Sequence, residues 1–136
     1  MLGRHLAERF GVLEMFDYRE GNVFERKTIE GIDPTLTIVS GLSVYHNDAT
    51  FDRFLYDVHE VIPEGSHIVI DNQIYNPSSR LMEKLATTTY GGSWTLFYRT
   101  REAMERMVSK YFRIENSSLD EIKMIHLIEA IKNSAL

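Results

Sequence analysis

The sequence predicts an α/β protein with a mostly parallel β-sheet, and three segments carry that prediction. Leu36–Val39 and His67–Ile70 are short runs of β-favouring residues, as in strands of parallel sheets. Residues 48–62 between them place apolar side chains at helical spacing. Because a strand, a helix and a strand follow in that order, the two strands are expected to pair in parallel through a right-handed crossover.

The first thirty residues are predicted to contain one helix and one strand. Apolar residues at helical spacing indicate a helix from Leu2 to Phe10, which Gly11 closes. Val12–Tyr18 is interpreted as a short strand, and the polar residues 20–22 as the turn that ends it.

The middle of the chain carries the first strand of the parallel pair and its crossover helix. Leu36–Val39 is an unbroken β-favouring run, so we expect it to be buried on both faces. Asn47 or Asp48 is predicted to cap the helix, and Pro63 and Gly65 are predicted to end it. The stripe expected to face the core consists of Phe51, Phe54, Leu55, Val58, Val61 and Ile62.

The last seventy residues are predicted to add two helices and two further strands. One helix opens at residues 76–79 and runs to about Leu85, and Thr100 caps the next. That second helix carries Ala103, Met104, Met107 and Val108. Tyr111–Ile114 is interpreted as a strand, and the alternating run Ile122–Ile128 as a final antiparallel strand.

Composition narrows the class of protein. With 136 residues, of which 43% are hydrophobic, the chain has the size of one folded domain over residues 1–136. The formal charge of −5 and the lack of a Lys/Arg cluster argue against duplex nucleic acid as a partner. No segment approaches the roughly 20 apolar residues of a membrane span. Because the chain has no cysteine, a reducing compartment and a cytoplasmic location are expected.

No familiar motif for metal, kinase or hydrolase chemistry is present in the sequence. His5, His59, His67 and His126 do not share a metal-ligand spacing, so no metal site is predicted. The chain also lacks a phosphate-binding loop, a nucleophile elbow and a His-Glu-x-x-His helix.

Three pieces of the sequence together resemble the distal half of class I S-adenosylmethionine-dependent methyltransferases. They are Thr37–Leu42, residues 61–70 with their Pro-x-Gly turn, and residues 99–104 running into Tyr111-Phe112. Ser40-Gly41-Leu42, the stretch 73–77, and Trp94 followed by Arg99-Thr100 are similar to a bacterial methyltransferase family. The resemblance spans nearly the whole chain.

This resemblance implies a partial Rossmann-like sheet. The sheet of class I methyltransferases runs three, two, one, four, five, seven, six, and this chain is expected to supply strands three to seven. The first two strands, the glycine-rich loop and the acidic residue that holds the ribose are missing, so the chain would be the C-terminal part of a larger enzyme. Without them, the isolated chain is expected to bind S-adenosylmethionine weakly and to be inactive.

The resemblance also assigns the remaining cofactor contacts. Asn22 and Val23 stand where the family has a Gly-Asp-hydrophobic turn that meets the adenine amino group, although Asn replaces Asp here. Ser40 and Gly41 end strand four, at the rim where ligands bind in open α/β sheets.

The residues after strand four are the candidates for the methyl-transfer step. Tyr45 and His46 follow that strand, and His46 could act as a general base near neutral pH. The alternative is an ordinary loop and capping role for residues 45–47.

Substrate contacts are expected after strand five. Asp71, Asn72, Gln73 and Tyr75 could hydrogen-bond an acceptor, and Arg99 could clamp a carboxylate or phosphate, with an exposed ion pair as its alternative. Core packing or stacking on a planar acceptor are both open for the aromatic cluster, which consists of Trp94, Phe97 and Tyr98.

Two functions of different classes remain in view. The first is methyl transfer from S-adenosylmethionine to an unidentified acceptor by a larger parent enzyme. The alternative is a non-catalytic oligomerisation or interaction module that retains the sheet; a nicotinamide-dependent enzyme would rest on topology alone. Because strands one and two are missing, either the Val12–Tyr18 strand closes onto Leu36–Val39 or a second copy of the chain covers that edge as a homo-oligomer.

Overall fold

The computed structural model describes residues 2–15, 19–75, 77–85 and 95–133, which fall into two compact units, Met1–Glu30 and Gly31–Leu136. The first unit is helical in its described part. Helix α1 spans Leu2–Arg9, a single 3₁₀ turn follows at Leu13–Met15, and α2 is the short helix Arg26–Ile29. Gly11 adopts a left-handed φ of 68°, which confirms it as the residue that ends the first helix.

The strand predicted for Val12–Tyr18 is wrong over Val12–Met15, and residues 16–18 lie outside the described residues. The backbone there is committed to local bonds: the Val12 N–H donates to the Ala7 carbonyl at 2.9 Å, and Met15 N–H donates to the Val12 carbonyl at 3.0 Å. These short-range bonds curl the chain at the end of α1, and the strand preference of Val12 alone did not decide its conformation.

The second unit is built on a four-stranded mixed sheet. Its strands are β1 (Leu36–Val39), β2 (His67–Gln73), β3 (Arg113–Leu119) and β4 (Ile125–Ile131), in the order β1-β2-β4-β3. The β1 and β2 strands pair in parallel, while β4 is antiparallel to both of its neighbours. The predicted parallel pair and the antiparallel closing strand are therefore confirmed, and the order corresponds to strands four, five, seven and six of the resembled sheet.

The expectation that β1 is buried on both faces is wrong. Val39 is 6% exposed, but Leu36 and Ile38 are 51% and 67% exposed. Successive side chains of a strand point to opposite faces, and Leu36 and Ile38 share the face that the described helices leave open. An apolar run alone could not distinguish a strand covered on both faces from one covered on a single face.

Helix α3 covers the buried face of the sheet. It spans Asp48–Val61, and the side chain of Asn47 caps it by accepting a hydrogen bond from the Thr50 N–H at 2.9 Å, as predicted. The predicted end is also confirmed: Pro63 has no N–H to continue the helix, and Gly65 has a φ of 76°. Its buried apolar residues are Phe51, Phe54, Leu55 and Val58. Together with β2 and β4 they form the core, to which Ile68, Ile70, Ile128 and Ala130 contribute.

The remaining helices are close to their predicted positions. Helix α4 spans Ser79–Leu85, and α5 spans Arg101–Val108 with Thr100 as its cap, whose Oγ1 accepts from the Ala103 N–H at 3.2 Å. No helix in the described part of the chain is long and apolar enough to cross a membrane.

Both C-terminal strands begin later than predicted. Tyr111 and Phe112 donate their N–H groups to the Val108 carbonyl at the end of α5, so the strand predicted for Tyr111–Ile114 starts only at Arg113. Ile122 lies in the turn before β4 and is 72% exposed. That turn is held by Asp120, whose Oδ1 accepts from the N–H groups of residues 124 and 125 at 2.7 and 2.9 Å.

Replacing Asn47 by Ala should destabilise the second unit, since it removes the one acceptor that caps the Thr50 N–H. The expected loss is about 1 kcal/mol of the free energy of unfolding, measured by urea denaturation. Asn47→Asp keeps the acceptor and is the matched control. Equal stability of Asn47→Ala and the wild type would contradict the capping role.

Candidate functional site

Polar residues gather where β1 and β2 end, and we call residues 40–46 and 71–75 the rim. The two strands are parallel and Val39 is in register with Ile70, so Ser40 stands opposite Asp71. The carboxyl ends of neighbouring parallel strands are where ligands bind in open α/β sheets. The sequence prediction placed Ser40, Gly41, Tyr45 and His46 at this edge, and the structure brings them together there.

The carboxylate of Asp71 is the centre of the rim. The Ser40 hydroxyl donates to Asp71 Oδ2 at 2.7 Å, and the Gly41 N–H lies 2.9 Å from both carboxylate oxygens. The Ser43 hydroxyl donates to the Asp71 backbone carbonyl at 3.1 Å. The donor groups of Ser40 and Gly41 are thus engaged with Asp71, and the rim carries an acidic group rather than a pair of open donors.

Gly41 makes this arrangement possible. Its φ of 67° lies in the left-handed region that a side chain disfavours, and this conformation turns its N–H toward Asp71. A Cβ at this position would meet nothing within 4 Å, so the requirement for glycine comes from the backbone conformation and not from lack of space.

Tyr45 is the last residue of a 3₁₀ turn, Ser43–Tyr45, and His46 follows it directly. Tyr45 is 48% exposed, which makes its ring accessible from solvent. Burial and the nearby positive charge of Arg99 lower the pKa of His46 below its ordinary value. A lowered pKa keeps the imidazole neutral at neutral pH, which is the form that can accept a proton.

Arg99 fixes the part of the rim that follows β1, residues 40–46, which we call the rim loop. Its guanidinium is 3% exposed and donates to the carbonyls of Ser43 and His46, both at 2.6 Å. Its Nε donates to the Asp48 carboxylate at 2.8 Å, and its Cζ lies 5.3 Å from the centre of the Phe51 ring. The alternative for Arg99 is present in part: the arginine forms an ion pair with the exposed Asp48, but its own side chain is buried and also donates to two backbone carbonyls.

The residues after β2 divide between the two faces of the sheet. Asn72 is 1% exposed on the core side, where its Nδ2 donates to the Arg99 carbonyl at 3.1 Å. Gln73 is half-buried on the other face, beyond Asp71. Tyr75 is 53% exposed, and its ring packs edge-on against Tyr98 with centroids 5.6 Å apart.

The predicted aromatic cluster is only partly visible. Phe97 is 37% exposed and Tyr98 is half-buried, so neither belongs to the fully buried core. Trp94 lies outside the described residues.

The two remaining cofactor candidates belong to the first unit. The Asn22 Oδ1 accepts from the Phe24 N–H at 3.1 Å, which closes a local turn, and Val23 is half-buried. Gly21 beside them permits a close approach, since a Cβ there would lie 2.8 Å from Thr28 Oγ1. An open depression of about 620 Å³ adjoins this turn, and it is lined by Arg19, Glu20, Gly21, Asn22, Glu25, Lys27 and Thr28.

Asp71 is the functional candidate that sequence reasoning undervalued. The sequence predicts Asp71 only as one of the polar residues after β2 that could hydrogen-bond an acceptor, and not as a contact of the cofactor. The signal was present in the sequence, because an acid that directly follows Ile68-Val69-Ile70 must lie near the end of the neighbouring parallel strand. Among the described residues, no group of three His, Asp or Glu side chains could hold a metal ion.

Comparison with solved structures shows the same fold. The chain aligns with a "possible exported protein" from Bordetella parapertussis at a TM-score of 0.74 and 13% identity, over 96% of this chain and 48% of that one. It aligns with mitomycin 7-O-methyltransferase at a TM-score of 0.69 and 15% identity, over 95% of this chain and 38% of that one. With human N-acetylserotonin methyltransferase, solved in complex with S-adenosylmethionine, the TM-score is 0.61 and the identity 17%. That alignment covers 89% of this chain and 35% of the human protein. The chain thus spans half or less of these proteins.

Sequence comparison identifies the family. No curated protein matches the sequence closely enough to count as a relative. The profile of a family described as "Putative methyltransferase", however, matches residues 1–127, which is nearly the whole chain. The resemblance inferred from residues 37–42, 61–70 and 99–112 is confirmed, and this chain belongs to that methyltransferase family.

Proposed function

We propose that the chain is the C-terminal part of an enzyme that transfers a methyl group from S-adenosylmethionine to an acceptor. The family match and the sheet order support methyl transfer as the reaction class, and the acidic rim supports the ends of β1 and β2 as the place where the cofactor binds. The observation that carries the proposal is the Asp71 carboxylate, fixed by Ser40 and Gly41 at the ends of β1 and β2. We keep the cytoplasm as the proposed location, on the absence of cysteine from the sequence.

The charge of the rim fits the cofactor. S-adenosylmethionine supplies a methyl group already activated on a positively charged sulfur, so the protein mainly has to position it and exclude water. A carboxylate near that positive charge is favourable, whereas a pair of open N–H and O–H donors would suit an anion. Of the predicted cofactor residues, Ser40 and Gly41 act here by holding Asp71, and the adenine contact of Asn22 and Val23 stays a prediction.

Proton removal from the acceptor is assigned to His46. Its neutral imidazole can take the proton that an acceptor hydroxyl or amine loses as its lone pair bonds to the methyl carbon. Tyr45 is the second candidate, because its exposed ring lies next to His46 in the same turn. Arg99 supports this step indirectly by fixing the carbonyls of residues 43 and 46.

A small planar acceptor suits the surface beyond Asp71. Tyr75 presents an exposed ring that Tyr98 braces, Phe97 is part-exposed, and Gln73 offers an amide on the face that Asp71 occupies. The names of two structural neighbours, mitomycin 7-O-methyltransferase and N-acetylserotonin methyltransferase, point to small-molecule acceptors in those proteins. We extend that class of acceptor to this chain, with Gln73 and Tyr75 as its contacts. Asn72 and Arg99 are buried and would support the site without touching the acceptor.

A non-catalytic oligomerisation module is the second candidate, and the edge of the sheet favours it. Among the described residues, β1 pairs only with β2, so the backbone groups on its other side have no strand partner. Leu36 and Ile38 add an exposed apolar pair, and β1 itself carries no charged residue that would block pairing. We propose that a second copy of the chain covers this edge when the chain stands alone, whereas strand one would pair there in the larger enzyme.

The chain of 136 residues should bind S-adenosylmethionine with an affinity weaker than micromolar. In the described part of the chain no strand is followed by a glycine-rich loop, and such a loop supplies the backbone N–H groups that bind this type of ligand. Calorimetric titration measures the affinity. A dissociation constant in the micromolar range or below would contradict the assignment of the main grip to a missing segment.

A weak contact should still be detectable at the rim by NMR at millimolar ligand. S-adenosylmethionine should shift the amide signals of Gly41 and Asp71 more than the uncharged thioether S-adenosylhomocysteine does, because only the first carries the positive sulfur. Asp71→Asn should remove that difference. Asp33→Asn, which changes an exposed acid before the opposite end of β1, should leave it intact. Equal shifts for both ligands in the wild type would contradict the proposal that the positive sulfur of the cofactor lies near Asp71.

The edge proposal predicts a dimer or larger assembly at tens of micromolar protein, measured by sedimentation. Ile38→Lys should shift the protein to monomer, since it places a charge on the open face of the edge strand. Ile122→Lys is the matched control, because Ile122 is similarly exposed but lies in the turn before β4. A wild-type monomer at these concentrations, or equal effects of the two lysines, would count against pairing at β1.

A further inference from the structure

A buried histidine outside the rim, His126 of β4, is held by two neighbouring elements. It is 0% exposed, and its Nε2 lies 2.8 Å from the hydroxyl of Ser117 on β3. The same hydroxyl contacts Glu105 of α5, to which Arg101 donates a hydrogen bond at 2.8 Å. His126 therefore stands at the end of a chain of hydrogen bonds that reaches the surface of α5.

This chain fixes which ring nitrogen carries a proton. Hydrogen bonds from Arg101 and then Ser117 lower the pKa of Glu105, so its carboxylate is ionised and can only accept. Because a serine hydroxyl has one hydrogen, Ser117 donates it to Glu105 and accepts from His126 with its lone pair. The Nε2 of His126 must therefore keep its proton, and Nδ1 is the nitrogen that titrates.

The Nδ1 atom has a natural counterpart on the other neighbouring strand. Asn72 of β2 is paired with His126 in the antiparallel register, and both side chains lie on the buried face. The Asn72 Nδ2 donates to the Arg99 carbonyl, which fixes the orientation of the amide. Asn72 Oδ1 and His126 Nδ1 are both buried and have no hydrogen-bond partner among the described residues. Directly opposite side chains on such strands lie within about 5.5 Å at their Cβ atoms.

We propose that Asn72 and His126 are positioning residues for the rim, joined by a hydrogen bond from protonated His126 Nδ1 to Asn72 Oδ1. Two acceptors cannot bond each other, so the neutral ring leaves both atoms unsatisfied, and the second proton completes the pair. The link continues through Asn72 to the Arg99 carbonyl, and through the Arg99 guanidinium to the carbonyls of Ser43 and His46. Protonation at the core is thereby connected to the loop that carries the proposed base.

The charges around His126 define the direction of the pH effect. Burial lowers its pKa, the carboxylates of Glu105 and Glu102 on α5 oppose that shift, and Arg101 adds to it; β2 and β3 contribute the uncharged Asn72 and Ser117. Since the native pKa lies below the ordinary value of about 6.5, the stability that the neutral ring provides is present above that pH and is lost as the pH falls. The Asn72 bond limits this loss, because it favours the charged ring.

The inference deepens the proposed function and rests on it for the role of the loop, but its test needs neither cofactor nor turnover. NMR of the ¹⁵N-labelled chain in a His46→Gln background follows the ring nitrogens of His126 and the amides of Val44 and Tyr45 against pH. We expect Nε2 to stay protonated throughout, Nδ1 to titrate, and the two amide signals to shift with the same midpoint.

Variants at position 72 decide between the hydrogen bond and mere packing. Asn72→Ala should lower the pKa of His126 by about one unit, the size expected for losing a hydrogen bond to the charged ring, and should uncouple the two rim amides. Asn72→Asp, which keeps the side-chain shape, should raise that pKa and serves if the alanine variant does not fold. An unchanged pKa of His126 in both variants, or rim amides that do not follow its titration, would overturn the proposal. Either result would leave the methyl-transfer proposal intact.

Discussion

The N–H groups of a buried guanidinium need hydrogen-bond acceptors, and those of Arg99 donate to carbonyl groups of the loop after β1. The carbonyls of Ser43 and His46 cannot rotate away without leaving a buried charge poorly satisfied. The ring of Phe51 beneath the guanidinium ties the same arginine to the core of α3. The position of the rim loop is therefore set by a residue more than fifty positions further along the chain.

The elements that depend on local chemistry were predictable from sequence. Asn47 and Thr100 are caps because their side chains are short acceptors placed before apolar residues at helical spacing. The parallel pairing of β1 and β2 followed from the helix between them. The position of Ser40 and Gly41 at the strand ends was predictable in the same way, and their contact with the cofactor stays a prediction.

Features that depend on tertiary context were not predictable. Val12 is the one β-favouring residue of Val12–Met15, and the hydrogen bond from its N–H to the Ala7 carbonyl curls the chain back on α1. Nothing in Leu36–Val39 reveals that one face of β1 is open, because exposure depends on which elements lie above the sheet. Arg99 was similarly ambiguous, since an arginine in a sequence is expected at the surface until its partners are known.

The order of the strands also has a consequence for synthesis. The β4 strand is the last of the described strands to leave the ribosome, yet it lies between β2 and β3 and supplies the partner of both. Until residue 131 has emerged, the nascent chain can form the β1–β2 pair, but β3 has no neighbouring strand and one edge of β2 stays unpaired. Such late, long-range pairing slows folding and exposes sticky edges. This half of the sheet would therefore form only after β4 has been synthesised.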